Sequence, residues 1–153
     1  MTSYFGKKIA LFQSEVKSQK EALSIIATCL YQTGLVKDSF ADNVLKREEV
    51  FPTGLLINDV GIAIPHTDAE HVNDSQIAFM SLKTPVTFYE MGTADKEISV
   101  SLIFMLALKE PHAQLEMLQK LITMFQKKEV VQKLRAVNNT EEYYQIIEKE
   151  GFV

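Results

Sequence analysis

The stretch that decides the fold is residues 61–68, which read Gly-Ile-Ala-Ile-Pro-His-Thr-Asp. Its aliphatic half is typical of a short buried strand. Pro65 has no amide hydrogen to donate to a sheet ladder, so the strand should end there and His66 should turn out of the layer. In open α/β sheets, ligand sites collect at such strand ends. The stretch therefore predicts a sheet edge that carries an imidazole.

Short aliphatic or β-branched segments around this stretch predict the other strands. The predicted strands are Gly54–Ile57, Gly61–Ile64, Gln76–Leu82 and Ile98–Leu102. The last of these runs into the continuous apolar segment Leu102–Leu108, a pattern that indicates a strand buried on both faces.

Apolar residues at helical spacing predict helices on both sides of the strands. Ser18 and Glu21 form a capping box before the first helix, and Gly34 is its expected end. The apolar positions of that helix are Leu23, Ile26, Ala27 and Leu30. A second helix should begin after Asp38, bury Phe40, Val44 and Leu45, and end with Lys46, Arg47 and Glu48 before Pro52.

Three more helices are predicted in the C-terminal third of the chain. The first has Pro111 in its first turn and an apolar stripe of Leu115, Leu118, Leu121, Ile122 and Phe125. The second covers Glu129–Val137, and the third is capped by Thr140 and ends near Gly151. Helices outside and strands in the middle predict an α/β domain, and without a linker-like segment we expect one domain over residues 1–153.

Composition excludes several classes of protein. Sixteen basic and 20 acidic residues give a net charge of -4, which does not favour a nucleic-acid binder. The single cysteine, Cys29, excludes an internal disulfide and fits a reducing compartment. The longest apolar run, Leu102–Leu108, is far shorter than the roughly 20 residues of a membrane-spanning helix. We therefore expect a cytoplasmic protein that binds neither nucleic acid nor the bilayer.

His66, His112 and Arg47 are the candidate functional residues. A neutral imidazole such as that of His66 can act as nucleophile or base, although a strand-end histidine can equally be satisfied by a backbone carbonyl. His112 lies at an expected helix N-terminus, where free amide groups favour a bound anion such as phosphate. Arg47 could hold a phosphoryl group with two donors. From the residues alone, a surface histidine and a solvated arginine remain open alternatives.

Residues 66–71 also contain two histidines and two carboxylates, which raises the question of a metal site. The H-E-x-x-H spacing of a helical zinc pair is absent, so we predict no metal. A metal-dependent hydrolase built from His66, His71 and His112 remains the alternative, and metal analysis of the purified protein would test it.

Taken together, the motifs resemble a known family. They are Lys46-Arg47-Glu48, Pro52-Thr53-Gly54-Leu55, the stretch from Gly61 to His66, and Ala107-Leu108-Lys109-Glu110-Pro111-His112. In order and spacing they are similar to the enzyme IIA (EIIA) domains of the bacterial phosphoenolpyruvate-dependent sugar phosphotransferase system (PTS), fructose/mannitol class. The resemblance extends from about Leu11 to Ile147. Residues 67–72 resemble the galactitol-type branch, whereas many mannitol and fructose members have glycine or alanine at the position of Thr67.

The resemblance implies a single α/β domain with a central mixed β-sheet flanked by helices on both faces. It also implies a phosphoryl relay without metal or other cofactor. His66 would accept the phosphoryl group on Nε2 from the phosphocarrier protein HPr and pass it to a cysteine of the cognate enzyme IIB (EIIB). EIIB would then phosphorylate a sugar or polyol, galactitol or a relative, as the membrane component IIC transports it. Arg47 and His112 would stabilise the phosphoryl group, and Thr67 would add a hydroxyl donor.

The same fold also resembles nitrogen-type regulatory EIIA proteins, which act by binding other proteins. That function is the second hypothesis for this chain.

Overall fold

We describe residues 4–93 and 95–152 of a computed structural model of the chain. The strands are β1 Ala10–Ser14, β2 Gly54–Ile57, β3 Val60–Ala63, β4 Gln76–Tyr89 and β5 Glu97–Ala107. The α-helices are α1 Gln19–Gln32, α2 Phe40–Val50, α3 Pro111–Phe125, α4 Lys128–Ala136 and α5 Thr140–Lys149. A 3-10 turn, Ala69–His71, lies between β3 and β4.

Across these described residues the strands form one mixed sheet in the order β1-β4-β5-β3-β2. β1 is parallel to β4 and β3 is parallel to β5, whereas the β4–β5 and β2–β3 pairs are antiparallel. β2 and β3 form a hairpin in which Asn58 and Asp59 both have positive φ (51° and 66°), as a type I′ turn requires. The predicted mixed sheet is therefore confirmed.

Helices cover both faces of the sheet and form two hydrophobic cores. On one face, α3, α4 and α5 pack on alternate side chains of β3, β4 and β5, including Ile62, Phe79 and Phe104. On the other face, α1 and α2 pack on the intervening side chains, including Met80 and Ile103. Residues 102–108 are buried throughout, because both faces of β5 are covered. This two-sided arrangement confirms the predicted fold class.

The predicted helix ends are largely confirmed. Ser18 Oγ accepts a hydrogen bond from Glu21 N (3.1 Å) and caps α1, and Gly34 follows that helix with φ of 77°. The predicted cap of α5 is wrong by one residue. Asn139 is the extended residue before the helix, and its Oδ1 accepts from Glu142 N at 2.8 Å.

Two features of the sheet differ from the prediction. β1 is additional, because its five residues, four half-buried and one exposed, carry too weak a pattern at a sheet edge to predict a strand. β4 continues seven residues beyond the predicted end at Leu82, past Pro85, to Tyr89. A bulge between Ser81 and Val86 accommodates the proline, which cannot donate to a regular ladder.

The predicted apolar stripe of α3 is wrong at one residue. Leu115 is 62% exposed, whereas Met117, Leu121, Met124 and Phe125 form the buried face. No helix in residues 4–93 or 95–152 is long and apolar enough to cross a bilayer.

Candidate functional site

The main chain places His66 at the edge of the sheet, immediately after β3. The ladder between β2 and β3 ends at the Gly54–Ala63 pair, and β5 continues to hold the chain beyond it. Leu106 N donates to Pro65 O (2.9 Å), and His66 forms a parallel bridge with Leu106. The predicted strand end is confirmed, and a backbone contact on each side of Pro65 fixes the direction in which His66 leaves the sheet.

The ring of His66 is half-buried and has a defined tautomer. Its Nδ1 lies 2.9 Å from Ile64 O. Because a carbonyl oxygen can only accept, Nδ1 carries the proton and the lone pair of the neutral ring is on Nε2. The two alternatives for a strand-end histidine are therefore compatible: one nitrogen binds a backbone carbonyl, and the other is left with nucleophilic character.

Burial and charge keep this imidazole neutral. Burial lowers the pKa of His66 below its ordinary value of 6.5, and the positive charge of Arg47 lowers it further. The hydrogen bond to Ile64 and the negative charge of Asp68 oppose this shift in the pKa without cancelling it. The neutral ring, which is the nucleophilic form, therefore predominates at neutral pH.

Arg47 lies in the last turn of α2, near enough to His66 to affect its titration. Its guanidinium carbon is 5.1 Å from the centre of the Phe51 ring. The Nε atom is buried and has no hydrogen-bond partner among the described residues. Since buried donors are normally paired, an unused arginine donor beside an open cavity indicates a place for an anion.

That cavity has a volume of about 230 Å³ and lies between α2 and the loop after His66. Its lining residues are Asn43, Lys46, Arg47, Val50, Phe51, Thr67 and Asp68. Thr67 is 5% exposed and lines the cavity together with Arg47. A hydroxyl contribution from Thr67 to binding stays a prediction.

The first turn of α3 is tied to the same loop. Gln114 Nε2 donates to Thr67 O at 3.0 Å, so the backbone next to His66 is held by this helix. His112, the second residue of α3, is exposed in that turn, and no side chain caps the helix N-terminus. The sequence predicted the helix start at Pro111 but gave no role to Gln114.

Two further residues near the site were quoted in the sequence motifs without being assigned a function. Glu48 and Thr53 are each 3% exposed. Glu48 accepts hydrogen bonds from the backbone N and from Oγ1 of Thr53, both at 2.8 Å. In the sequence, the adjacent Arg47 and Glu48 and the following Pro52-Thr53 were the only signal that could have pointed to this pair. The hydrogen-bond partners of Thr53 cannot be inferred from its position in the chain.

The three histidines do not form a metal-binding group. His71 Nδ1 lies 2.7 Å from Ser39 Oγ, and its Nε2 lies 3.7 Å from a carboxylate oxygen of Glu70. Within residues 4–93 and 95–152, no three His, Cys, Asp or Glu side chains are arranged to hold a metal ion. The hydrolase alternative therefore gains no support from the geometry.

The neutral imidazole of His66 at the end of β3, with the positive charge of Arg47 nearby, suits the transfer of a phosphoryl group. The sequence matches the family described as phosphoenolpyruvate-dependent sugar phosphotransferase system, EIIA 2, over residues 3–150. The chain belongs to this family, whose domains are phosphotransferase components that pass phosphoryl groups to EIIB.

Curated relatives come from two branches of the family. The galactitol-specific EIIA component of the PTS from Escherichia coli (strain K12) is 30% identical over 128 residues, which cover 82% of this chain and 85% of that protein. The nitrogen regulatory protein of Klebsiella oxytoca is 29% identical over 153 residues, which cover 99% of this chain and 91% of that protein.

Solved structures agree on the fold. The crystal structure of IIA mannitol from Escherichia coli is 18% identical and matches with a TM-score of 0.74, covering 93% of this chain and 97% of that chain. The same identity and TM-score hold for its complex with phosphorylated enzyme IIB mannitol, determined by NMR, with 93% and 95% covered.

Proposed function

We propose that this chain is a phosphoryl carrier that accepts a phosphoryl group from phospho-HPr on Nε2 of His66 and passes it to a cysteine of a cognate EIIB. In this proposal residues 1–153 act as one EIIA module. The observation that carries it is the hydrogen bond from His66 Nδ1 to Ile64 O, because it leaves Nε2 as the free nitrogen of a neutral ring.

Each transfer exchanges one bond to phosphorus for another. The Nε2 lone pair attacks phosphorus, the Nε2–P bond forms, and the bond that held the group to HPr breaks. In the second step the EIIB thiolate attacks, the S–P bond forms, and the Nε2–P bond returns its electron pair to the ring. Nδ1 keeps its proton throughout, so the ring remains bound to Ile64 in both steps.

Arg47 and His112 would stabilise the phosphoryl group between these steps. Transfer of this kind depends on positioning and on stabilising charge spread over the phosphoryl oxygens. The unpaired Nε of Arg47 supports its role as a donor, and its charge is near enough to His66 to lower the pKa of that imidazole. His112 and the uncapped amides of α3 would supply donors from the other side, and Thr67 a hydroxyl.

The surface around the site supports docking of protein partners. Val50, Phe51 and Leu115 are exposed by 64%, 60% and 62%. Val50 ends the helix that carries Arg47, Phe51 directly follows it, and Leu115 lies on the helix that carries His112. Exposed apolar side chains beside a reactive group are typical of an interface. The net charge of -4 favours partners with a basic rim.

Galactitol or a related polyol is the proposed cargo of the whole transport system, in which EIIB and the membrane component IIC act after this chain. Support comes from the galactitol-specific relative and from residues 67–72, which resemble that branch. Regulation by protein binding is the second candidate, because the nitrogen regulatory relative aligns with 99% of the chain.

The direct test is phosphorylation in vitro with phosphoenolpyruvate, enzyme I and HPr. The wild-type chain should take up acid-labile phosphate, and His66→Ala should take up none. His71→Ala is the matched control, because its Nδ1 is bound to Ser39 Oγ and its Nε2 lies 3.7 Å from the Glu70 carboxylate. Uptake by His66→Ala at the wild-type rate would refute the proposal.

A second assay separates transport from regulation. The phosphorylated chain is offered to purified EIIB proteins of different sugar classes, and transfer to a polyol-class EIIB cysteine is expected. If no EIIB accepts the group, while phosphorylation changes binding to a regulatory protein, the regulatory function is correct instead.

A further inference from the structure

Glu48 and Thr53 form a buried pair next to the site, and neither side chain lines the cavity that contains Arg47. The Glu48 carboxylate at the end of α2 accepts both the backbone N–H and the hydroxyl of Thr53, just before β2. With two hydrogen bonds of 2.8 Å to the same acid, the threonine has one available orientation.

Thr53 in turn holds the residue to which His66 is bound. Ile64 N donates to Thr53 Oγ1 at 3.1 Å, beyond the last β2–β3 ladder pair, and Ile64 O accepts from His66 Nδ1 at 2.9 Å. On the far side of Pro65, Leu106 N holds Pro65 O. The Ile64 carbonyl therefore lies between two anchored peptide groups, and the proline limits rotation between them.

We propose that Glu48 and Thr53 are positioning residues that fix His66 in its Nδ1–H tautomer through the backbone of Ile64. The effect on phosphoryl transfer rests on the proposed function, but the effect on the tautomer does not. In the Nδ1–H form every neutral ring presents a lone pair at Nε2. In the Nε2–H form the same ring has a proton there and cannot attack phosphorus.

Glu48 can hold Thr53 in place in either of its protonation states. A carboxylate accepts from both donors of Thr53, and a protonated carboxyl can accept from the amide while donating to the hydroxyl oxygen. Either form holds Thr53 in place. By contrast, loss of the threonine hydroxyl removes the contact to Ile64 whatever the state of the acid.

Thr53→Val tests the proposal with an almost isosteric change. The tautomer is measured by long-range 1H–15N correlation of the imidazole, assigned by loss of the signals in His66→Ala. We expect a single Nδ1–H pattern in the wild type and a mixture containing Nε2–H in Thr53→Val. Phosphoryl uptake should fall about tenfold to a hundredfold, the range expected for a misplaced reacting group. Thr53→Ser, which keeps the hydroxyl, should restore both the tautomer and the rate.

Ile147→Ala is the control for general loss of stability, because Ile147 is fully buried in α5, in the core on the opposite face of the sheet from α2, the helix that carries Glu48. It should lower the unfolding midpoint and leave the His66 tautomer unchanged. If Thr53→Val does not fold, Glu48→Met removes the acceptor of Thr53 with little change in volume and should shift the tautomer in the same direction.

Retention of the pure Nδ1–H tautomer in the folded Thr53→Val or Glu48→Met variant would overturn the proposal, and so would an equal shift in Ile147→Ala. If the wild-type chain takes up no phosphate at all, the proposed function fails. The tautomer comparison then still decides this inference on its own.

Discussion

Glu48→Gln should change how the stability of this protein depends on pH. Burial raises the pKa of Glu48 from 4.5 to about 7, although the hydrogen bonds from Thr53 and the charge of Arg47 oppose the shift. Because the folded pKa exceeds the unfolded one, folding favours the protonated acid. The cost of ionising it is absent below pH 4.5, grows between pH 4.5 and about 7, and is complete above that range.

The magnitude follows from the two pKa values. At about 1.4 kcal/mol per pH unit, the gap between 4.5 and about 7 corresponds to about 3 kcal/mol of stability lost by the wild-type chain as pH rises. Glutamine has nearly the same shape but no proton to lose in this range. The free energy of unfolding of Glu48→Gln, relative to the wild type, should therefore increase by about 3 kcal/mol across the same interval.

The assay is urea unfolding at several pH values between 4.5 and 8, with the wild type and the variant measured in parallel. Glu49→Gln is the matched control, because Glu49 is the next residue in α2 and is exposed. It should give a nearly constant difference from the wild type. If the free energies of unfolding of Glu48→Gln and the wild type also differed by a constant amount at every pH, the conclusion that burial has raised the pKa of Glu48 would be refuted.

Three further outcomes are expected. Gly61→Ala should lower the free energy of unfolding by about 2 kcal/mol or more in urea titrations, because the added methyl group would overlap the carbonyl oxygen of Ser99 on β5; unchanged stability would contradict this close approach. NMR titration of His66 should give a midpoint below 6.5 that rises in Arg47→Ala, since the arginine charge lowers the pKa of that imidazole, and a wild-type midpoint at or above 6.5 would contradict the described burial. In single-turnover phosphorylation, Arg47→Ala should slow phosphate uptake about a hundredfold, and Arg47→Lys should recover part of the rate because it keeps the positive charge. Circular dichroism should show that both variants are folded. Wild-type rates in both would remove the proposed role of Arg47.

Much of the architecture was predictable because it depends on local pattern. The aliphatic residues before Pro65 predict a strand end, and Ser18 with Glu21 predicts a helix start, since each signal acts within a few residues. The exceptions are places where a distant partner decides the outcome. β1 depends on pairing with β4, and the second half of β4 continues past Pro85 because a bulge accommodates the proline.

The candidate site divides in the same way. His66, Arg47, His112 and Thr67 could be singled out by residue type and motif, and the structure ties the elements that carry them to one end of the sheet. The pairing of Glu48 with Thr53, and of Thr53 with Ile64, was not predictable. The last contact joins residues 11 positions apart in the chain, and only the β2–β3 hairpin brings them together.

The two cores have a consequence for the width of the site. Arg47 belongs to the helical layer on one face of the sheet, and His112 to the layer on the opposite face. The distance between these two layers is the thickness of a closely packed α/β/α sandwich. Substitution of a single side chain changes that thickness little. Under the proposed function, the space for a phosphoryl group on His66 is therefore set by the thickness of the sandwich, and exposed side chains could diverge to suit different protein partners without altering it.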